Sequence, residues 1–263
     1  MGEDHHDIGP KDSDNHGVEH SRGDTGEGSH ALPGGLTVAT DGLRLETAET
    51  RLNPGVEQGW SFQIKGENGE IVTKFEETHD QLAHLVLVRR DLTRFQHLHP
   101  EMTQDGAWSV EYTLPDPGVY RAFVDVLVEG QPTTLGVDLL ASGSADYEQR
   151  PQTSREVTVS GYEIQMSPAS IPPSENTVLD FEIRRDNQVV QLKPYLGALG
   201  HLVAIRDGDL AYLHVHPEER HPAGGIVRFR TRFPTVGRYR LFLQAKPNGE
   251  LITTSFDLQV TES

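Results

Sequence analysis

The sequence predicts an all-β chain: two tandem β-sandwich domains behind a disordered, acidic, histidine-containing tail. Three observations predict it. A pattern of strands and histidines is written twice. Runs of alternating apolar and polar residues are separated by turn residues, with no long stretch of helical period. The first segment holds almost nothing that could fill a core.

The repeat comes first. His84-Leu-Val-Leu-Val followed by Phe95-Gln-His97-Leu-His99-Pro100 returns as His201-Leu-Val-Ala-Ile followed by Tyr212-Leu-His214-Val-His216-Pro217, each histidine displaced by 117 positions (201 − 84, 214 − 97, 216 − 99). Pro117-Gly-Val-Tyr120-Arg121-Ala-Phe123 answers Gly237-Arg-Tyr239-Arg240-Leu-Phe242 at 119, as Trp60-Ser-Phe62-Gln-Ile64 answers Leu179-Asp-Phe181-Glu-Ile183. Leu36-Thr-Val38 answers Val157-Thr-Val159 at 121. Such small changes of offset belong in loops, so the elements are shared and their connections vary.

The strands follow from period two. Trp60–Ile64, Trp108–Leu114, Val119–Val126 and Ile226–Phe233 alternate apolar with polar residues over much of their length, and Thr134–Leu139 and Ile252–Val260 are matching end strands. Turn chemistry lies between them in Gly66-Glu-Asn-Gly69, Gln104-Asp-Gly106, Pro115-Asp-Pro-Gly118, Arg185-Asp-Asn187 and Pro247-Asn-Gly249. This divides the chain into a tail over 1–34, a first sandwich over 35–141, a polar linker over 142–156 and a second sandwich over 157–263. The tail carries eight Asp or Glu, only Lys11 and Arg22 as bases, and His5, His6, His16, His20 and His30, a composition suited to a solvated spacer or weak metal capture.

Composition removes several functions. Without a cysteine there is no disulfide framework, thiolate zinc site, iron–sulfur cluster, catalytic thiol or cysteine-ligated copper centre. A net charge of −17 repels nucleic acid and anionic membranes and suits a cation. No run of eighteen apolar residues offers a membrane span, and the start lacks a secretory signal, as does a chain whose signal or anchor has been trimmed.

The histidines are the candidate site. On a strand Phe95, His97 and His99 share one face, and His84 lies on one face with Val86 and Val88. If these two strands are neighbours, three imidazoles converge at metal-ligand distance. His79 and Asp125 add donors in the first repeat. Their counterparts in the second are Leu196 and Gln244, so the first repeat is the stronger site, and His201, His214 and His216, altered by His221, form a weaker or structural one. Imidazole with one carboxylate suits copper, Cu(II) being favoured by intrinsic affinity, with zinc the second choice; no calcium loop is present. Met102 and Met166 read as core filler rather than thioether ligands, and Arg228, Arg230 and Arg232 as a solvated face paired with acids.

Along the run from His79 through Asp-Leu-Thr-Arg-Phe-Gln-His-Leu-His-Pro to Gly118-Val-Tyr-Arg-Ala-Phe, and again from His201 to Gly-Arg-Tyr-Arg-Leu-Phe, the chain resembles bacterial extracytoplasmic modules of the YtkA-like and copper-resistance, CopC-like, kind. The resemblance covers roughly 90 residues of each repeat. It implies immunoglobulin/cupredoxin-like sandwiches in an exported protein (periplasmic, secreted or membrane-anchored) that handles copper or another metal. The leading expectation is a carrier, buffer or sensor whose partner is a metal ion. The alternative is a non-metal interaction module of the cell envelope, with structural histidines and a protein partner. No catalytic motif stands out, so an enzyme is not expected.

Overall fold

The computed structural model describes residues 33–218 and 224–262. The five tail histidines and His221 therefore lie outside the described residues, as do the side chains of His214 and His216.

The first repeat contains β1 (Ala39–Thr40), β2 (Leu43–Glu46), β3 (Arg51–Leu52), β4 (Glu57–Lys65), β5 (Ala83–Arg89), β6 (Gln96–Leu98), β7 (Glu101–Met102), β8 (Ala107–Thr113), β9 (Gly118–Val128) and β10 (Gln131–Ala141). They form two sheets, ordered β1-β2-β4-β8-β7 and β3-β10-β9-β5-β6. The second repeat contains β11 (Glu156–Val159), β12 (Tyr162–Ser167), β13 (Asn176–Arg185), β14 (Gln188–Val189), β15 (Gly200–Arg206), β16 (Tyr212–His214), β17 (His216–Pro217), β18 (Ile226–Arg232), β19 (Gly237–Ala245) and β20 (Ile252–Val260). Its sheets run β11-β12-β13-β18-β17, with β14 beside β13, and β16-β15-β19-β20. Among the described residues there is no helix, and none long and apolar enough to cross a membrane.

Alternation explains the inner faces. In β4, Trp60, Phe62 and Ile64 turn inward with Trp108 and Tyr112 of β8, while Glu57, Gly59 and Ser61 face solvent. The second repeat buries Leu179, Phe181 and Ile183 against Val227 and Phe229 in the same way. Each sandwich also carries the tyrosine corner of immunoglobulin-like folds. Tyr120 donates its hydroxyl to the Asp116 carbonyl at 2.9 Å, and Tyr239 to that of Thr235 at 3.0 Å. Met166 is buried and Met102 packs against the core, and Arg228 and Arg230 pair with Asp180 and Glu218 at 2.6 Å each, in line with the sequence reading.

Leu36–Val38, the counterpart of Val157–Val159, joins the sandwich through its backbone just before β1: the Thr37 carbonyl accepts from Gly136 N–H at 2.8 Å and the Val38 carbonyl from Leu45 N–H at 2.9 Å. Gly34, placed in the tail by composition, bridges to Tyr212, and Gly35 N–H donates to the Thr134 carbonyl at 2.9 Å. Composition measures what side chains can bury and is blind to backbone hydrogen bonds, which any residue but proline can donate.

The strands β5 and β15 depart from alternation altogether. Every residue of Ala83–Arg89 is buried, and all of Gly200–Ile205. Leu85 and Leu87 fill the sandwich interior, whereas Val86 and Val88 point outward and meet Val203 and Ile205 of the other repeat. The outer faces of β5-β9 and β15-β19 thus pack on each other within one compact unit. The contact is self-complementary, as in a two-fold dimer. Phe95 stacks on Phe242 with ring centroids 4.2 Å apart, and their repeat equivalents, Tyr212 and Phe123, pack at 5.0 Å. Arg240, buried and paired with Asp257 at 2.7 Å, donates across the junction to the Leu92 carbonyl at 2.8 Å. The middle of the linker is tied to both repeats, through Glu148 to Arg94 of the first at 2.6 Å and Arg150 to Asp207 of the second at 2.7 Å.

Candidate metal centre at the repeat junction

Antiparallel pairing of β5 with β6 sets Leu85 opposite Leu98 and Val86 opposite His97, which brings His97 and His99 alongside His84 on the outer face. These three histidines each offer a nitrogen, and the three nitrogens lie within 4.8 Å of one another. That spacing puts the three within reach of a single ion after small ring rotations.

Hydrogen bonds decide which nitrogens carry protons. His84 Nε2 lies 2.8 Å from the Thr78 carbonyl oxygen, which can only accept, so Nε2 is the protonated position. His97 Nδ1 lies 2.7 Å from Gln244 Oε1, another acceptor, so its hydrogen is on Nδ1. The opposite amide end, Gln244 Nε2, donates to Thr253 Oγ1 at 3.2 Å, in keeping with that orientation. The remaining nitrogens, His84 Nδ1 and His97 Nε2, stand 3.0 Å apart, within hydrogen-bond distance of each other. Among the described residues His99 Nε2 is buried without a hydrogen-bond partner. Burial drives the His97 imidazole down to a pKa of about 3 and that of His99 to about 4, reinforced by the neighbouring histidines. Both are neutral at neutral pH, the state in which imidazole binds metal.

The second repeat reaches the same cluster. His201, on β15, lies with its ring centroid 5.0 Å from His79, 6.0 Å from His97 and 6.4 Å from His84. Its Nε2 donates to the Tyr195 carbonyl at 2.8 Å, the counterpart of His84 and Thr78 displaced by 117. Its pKa is pushed down to about 4 by burial. His201 of the second repeat thus stands on the shared face beside the histidines of the first. His79 sits at the rim, 6.1 Å by ring centroid from His84. Asp125 stands opposite His84 in the β5-β9 register and accepts the Thr134 hydroxyl at 2.9 Å, outside the converging triad. His214 and His216 occupy β16 and β17 in the second repeat.

Gln244 was legible only as a lost aspartate, yet it crosses the junction to hold His97. The signal for that crossing was the loss of alternation in Leu85–Val88 and Leu202–Ile205, since a strand apolar on both faces is covered on both.

The profile of a domain of unknown function (DUF8832) matches the chain twice, at residues 37–143 and 157–262. The chain belongs to this family. The two DUF8832 segments coincide with the two sandwiches whose outer faces meet at the histidines. No curated protein matches the DUF8832 chain in sequence. Among solved structures it is similar to FdeC, an Escherichia coli adhesin, at 12% identity and a TM-score of 0.27, over 85% of this chain and 65% of that one. It is also similar to invasin, a bacterial integrin-binding protein, at 11% and 0.26, over 84% and 39%. Domains 4 and 5 of the S-layer protein SbsC match at 10% and 0.26, over 86% and 98%. The chain spans less than two thirds of the FdeC chain and of invasin. At these scores the likeness is no guide to what DUF8832 binds.

Proposed function

We propose that this protein binds a transition-metal ion through His84, His97 and His99 at the junction of its two repeats, and serves as a carrier or buffer for it outside the cytoplasm. One observation carries the reading: His84 Nδ1 and His97 Nε2 stand 3.0 Å apart beside a third, buried nitrogen, His99 Nε2, that has no hydrogen-bond partner among the described residues. Either a proton or a cation relieves such an arrangement, and burial that keeps His97 and His99 neutral works against the proton. Carbonyl partners on the far nitrogens of His84 and His97 are the supports that fix metal-bound imidazoles. Three nitrogen donors without a thiolate favour copper, with zinc next. The extracytoplasmic setting rests on the resemblance to exported copper-handling modules.

The test is a competition titration of the chain with Cu(II) and Zn(II), with the His97→Ala/His99→Ala variant as reference for weak capture by the tail. One tight equivalent present in the parent and missing in the variant supports the site; equal stoichiometry in both refutes it.

A second reading has its own observation. His84 and His201 each tie a backbone carbonyl, six residues upstream, to its strand in both repeats, so the histidines also hold loops. Under that reading the chain is an interaction module, and added metal leaves its thermal midpoint unmoved.

A further inference from the structure

We infer that the metal site of the first repeat is completed by the second: Gln244 is a positioning residue that holds His97 in its metal-binding tautomer, so affinity for the ion depends on the docked pair of repeats. The inference rests on the metal reading above.

A histidine alone on β6 is free to protonate either nitrogen, and only the Nδ1–H form leaves Nε2 open toward His84. Among the described residues the acceptor for His97 Nδ1 comes from the second repeat. It is Gln244 Oε1, on β19, at 2.7 Å, across 147 positions of sequence. The amide is braced at its other end by Thr253 on β20, paired with Gln244 in register. At the equivalent position the first repeat has Asp125, braced by Thr134, the residue equivalent to Thr253. The duplication has therefore kept the brace and changed the group it holds. An aspartate, one methylene shorter, reaches less far across the junction; glutamine extends to His97 and presents a neutral acceptor. The surrounding contacts make this reach reproducible, because Phe242, two residues before Gln244 on the same face, is stacked on Phe95, two residues before His97. One aromatic pair and one hydrogen bond thus join β6 to β19 side by side. Separating the repeats removes both, and leaves His97 without its acceptor.

The experiment compares the parent chain with Gln244→Leu, Gln244→Glu and, as a milder lesion, Thr253→Val, each checked for a folded β spectrum. Two quantities are read. The first is the His97 tautomer in the metal-free protein, from imidazole nitrogen chemical shifts. The second is Zn(II) affinity by chelator competition, with His97→Ala/His99→Ala as reference. Gln244→Leu is expected to lose the pure Nδ1–H form and to weaken Zn(II) binding about 10- to 100-fold, the usual effect of removing such a support. Gln244→Glu keeps an acceptor and is expected to restore both; Thr253→Val falls between. A Gln244→Leu chain with the parent's tautomer and affinity overturns the inference while leaving the metal site standing. A parent chain that binds no more Zn(II) than the reference variant overturns the metal reading itself.

Discussion

His84 Nδ1 and His97 Nε2 stand 3.0 Å apart at the meeting of two β-sandwiches, each with its other nitrogen committed to a carbonyl oxygen. On the metal reading proposed above, that pair of nitrogens is what a bound cation would engage. A ligand present at about 100 times its dissociation constant stabilises a fold by about 2.7 kcal/mol. Saturating Zn(II) or Cu(II) is therefore expected to raise the melting temperature of the parent chain by several degrees and to leave that of His97→Ala/His99→Ala within about a degree. Calorimetry with and without metal measures it.

The same burial sets a pH dependence for the metal-free protein. In the folded chain His97, His99 and His201 have pKa values pushed down to about 3, 4 and 4, against an unfolded value near 6.5. Between these limits the unfolded chain binds more protons, so stability is full above about pH 6.5 and falls as the pH drops toward 4. Denaturant midpoints at pH 7.5, 6.0 and 5.0 should decline in that order. A flat profile means that the imidazoles are solvated in the native state.

Docking of the repeats is testable at Phe242. It is buried at the junction and stacked on Phe95. Replacing such a phenylalanine by alanine costs about 3–5 kcal/mol when the site cannot collapse. Because the cavity opens between the sandwiches and not within one, the loss should appear first as faster amide exchange at Val86, Val88, Val203 and Ile205, with Trp60 and Phe181 regions still protected. Uniform loss of protection throughout the chain would show that the junction and the two cores melt together.

Much of this architecture was readable in the chain. Alternation located β4, β8, β9 and β18, and the displaced repeat specified two sandwiches. Parity placed His84 with Val86 and Val88, and Phe95 with His97, on single faces, as the structure has them. What the pattern did not convey was where those faces point. Alternation reports that one side of a strand is buried, and a duplicated motif suggests two sites; the partner of the outer face is a tertiary fact. The clue was present in the unbroken apolar run of β5, which alternation treats as noise. Gln244 was invisible as a site residue because a neutral amide has no metal-ligand signature, and its role exists only across the junction.

Asp91 offers a test remote from the histidines. It takes a bidentate pair from buried Arg89, at 3.0 and 2.7 Å, and accepts from Thr93 and from the Glu148 backbone. Burial opposes its charge, but these donors outweigh it and hold the carboxyl at about 2. A depressed carboxylate stabilises the fold above its unfolded pKa near 3.8 and loses that contribution as the pH falls toward 2, an effect of about 2 kcal/mol. Asp91→Asn should lower stability at pH 7 by at least that amount, since Arg89 is left buried with a neutral partner, and the deficit should shrink below pH 3.

Gly35 tests the strap that crosses from one repeat to the other. Its N–H donates to Thr134 of the first repeat, while the preceding Gly34 carbonyl accepts from Tyr212 of the second at 3.0 Å. The residue has φ of +71°, in the left-handed region, and a Cβ placed there meets the Phe123 ring at 2.3 Å. Alanine at 35 is thus penalised twice, by backbone strain of about 1 kcal/mol and by collision with a ring that is itself packed on Tyr212. The strap is expected to lift rather than the ring to move, because Phe123 lies fully buried among the junction residues. Gly35→Ala should therefore show exchange of the Gly35 and Tyr212 amides at near-solvent rates with the sandwich cores unchanged. If those amides remain protected, the ring has yielded instead, and the cost should then surface as lost protection at Val86 and Val203.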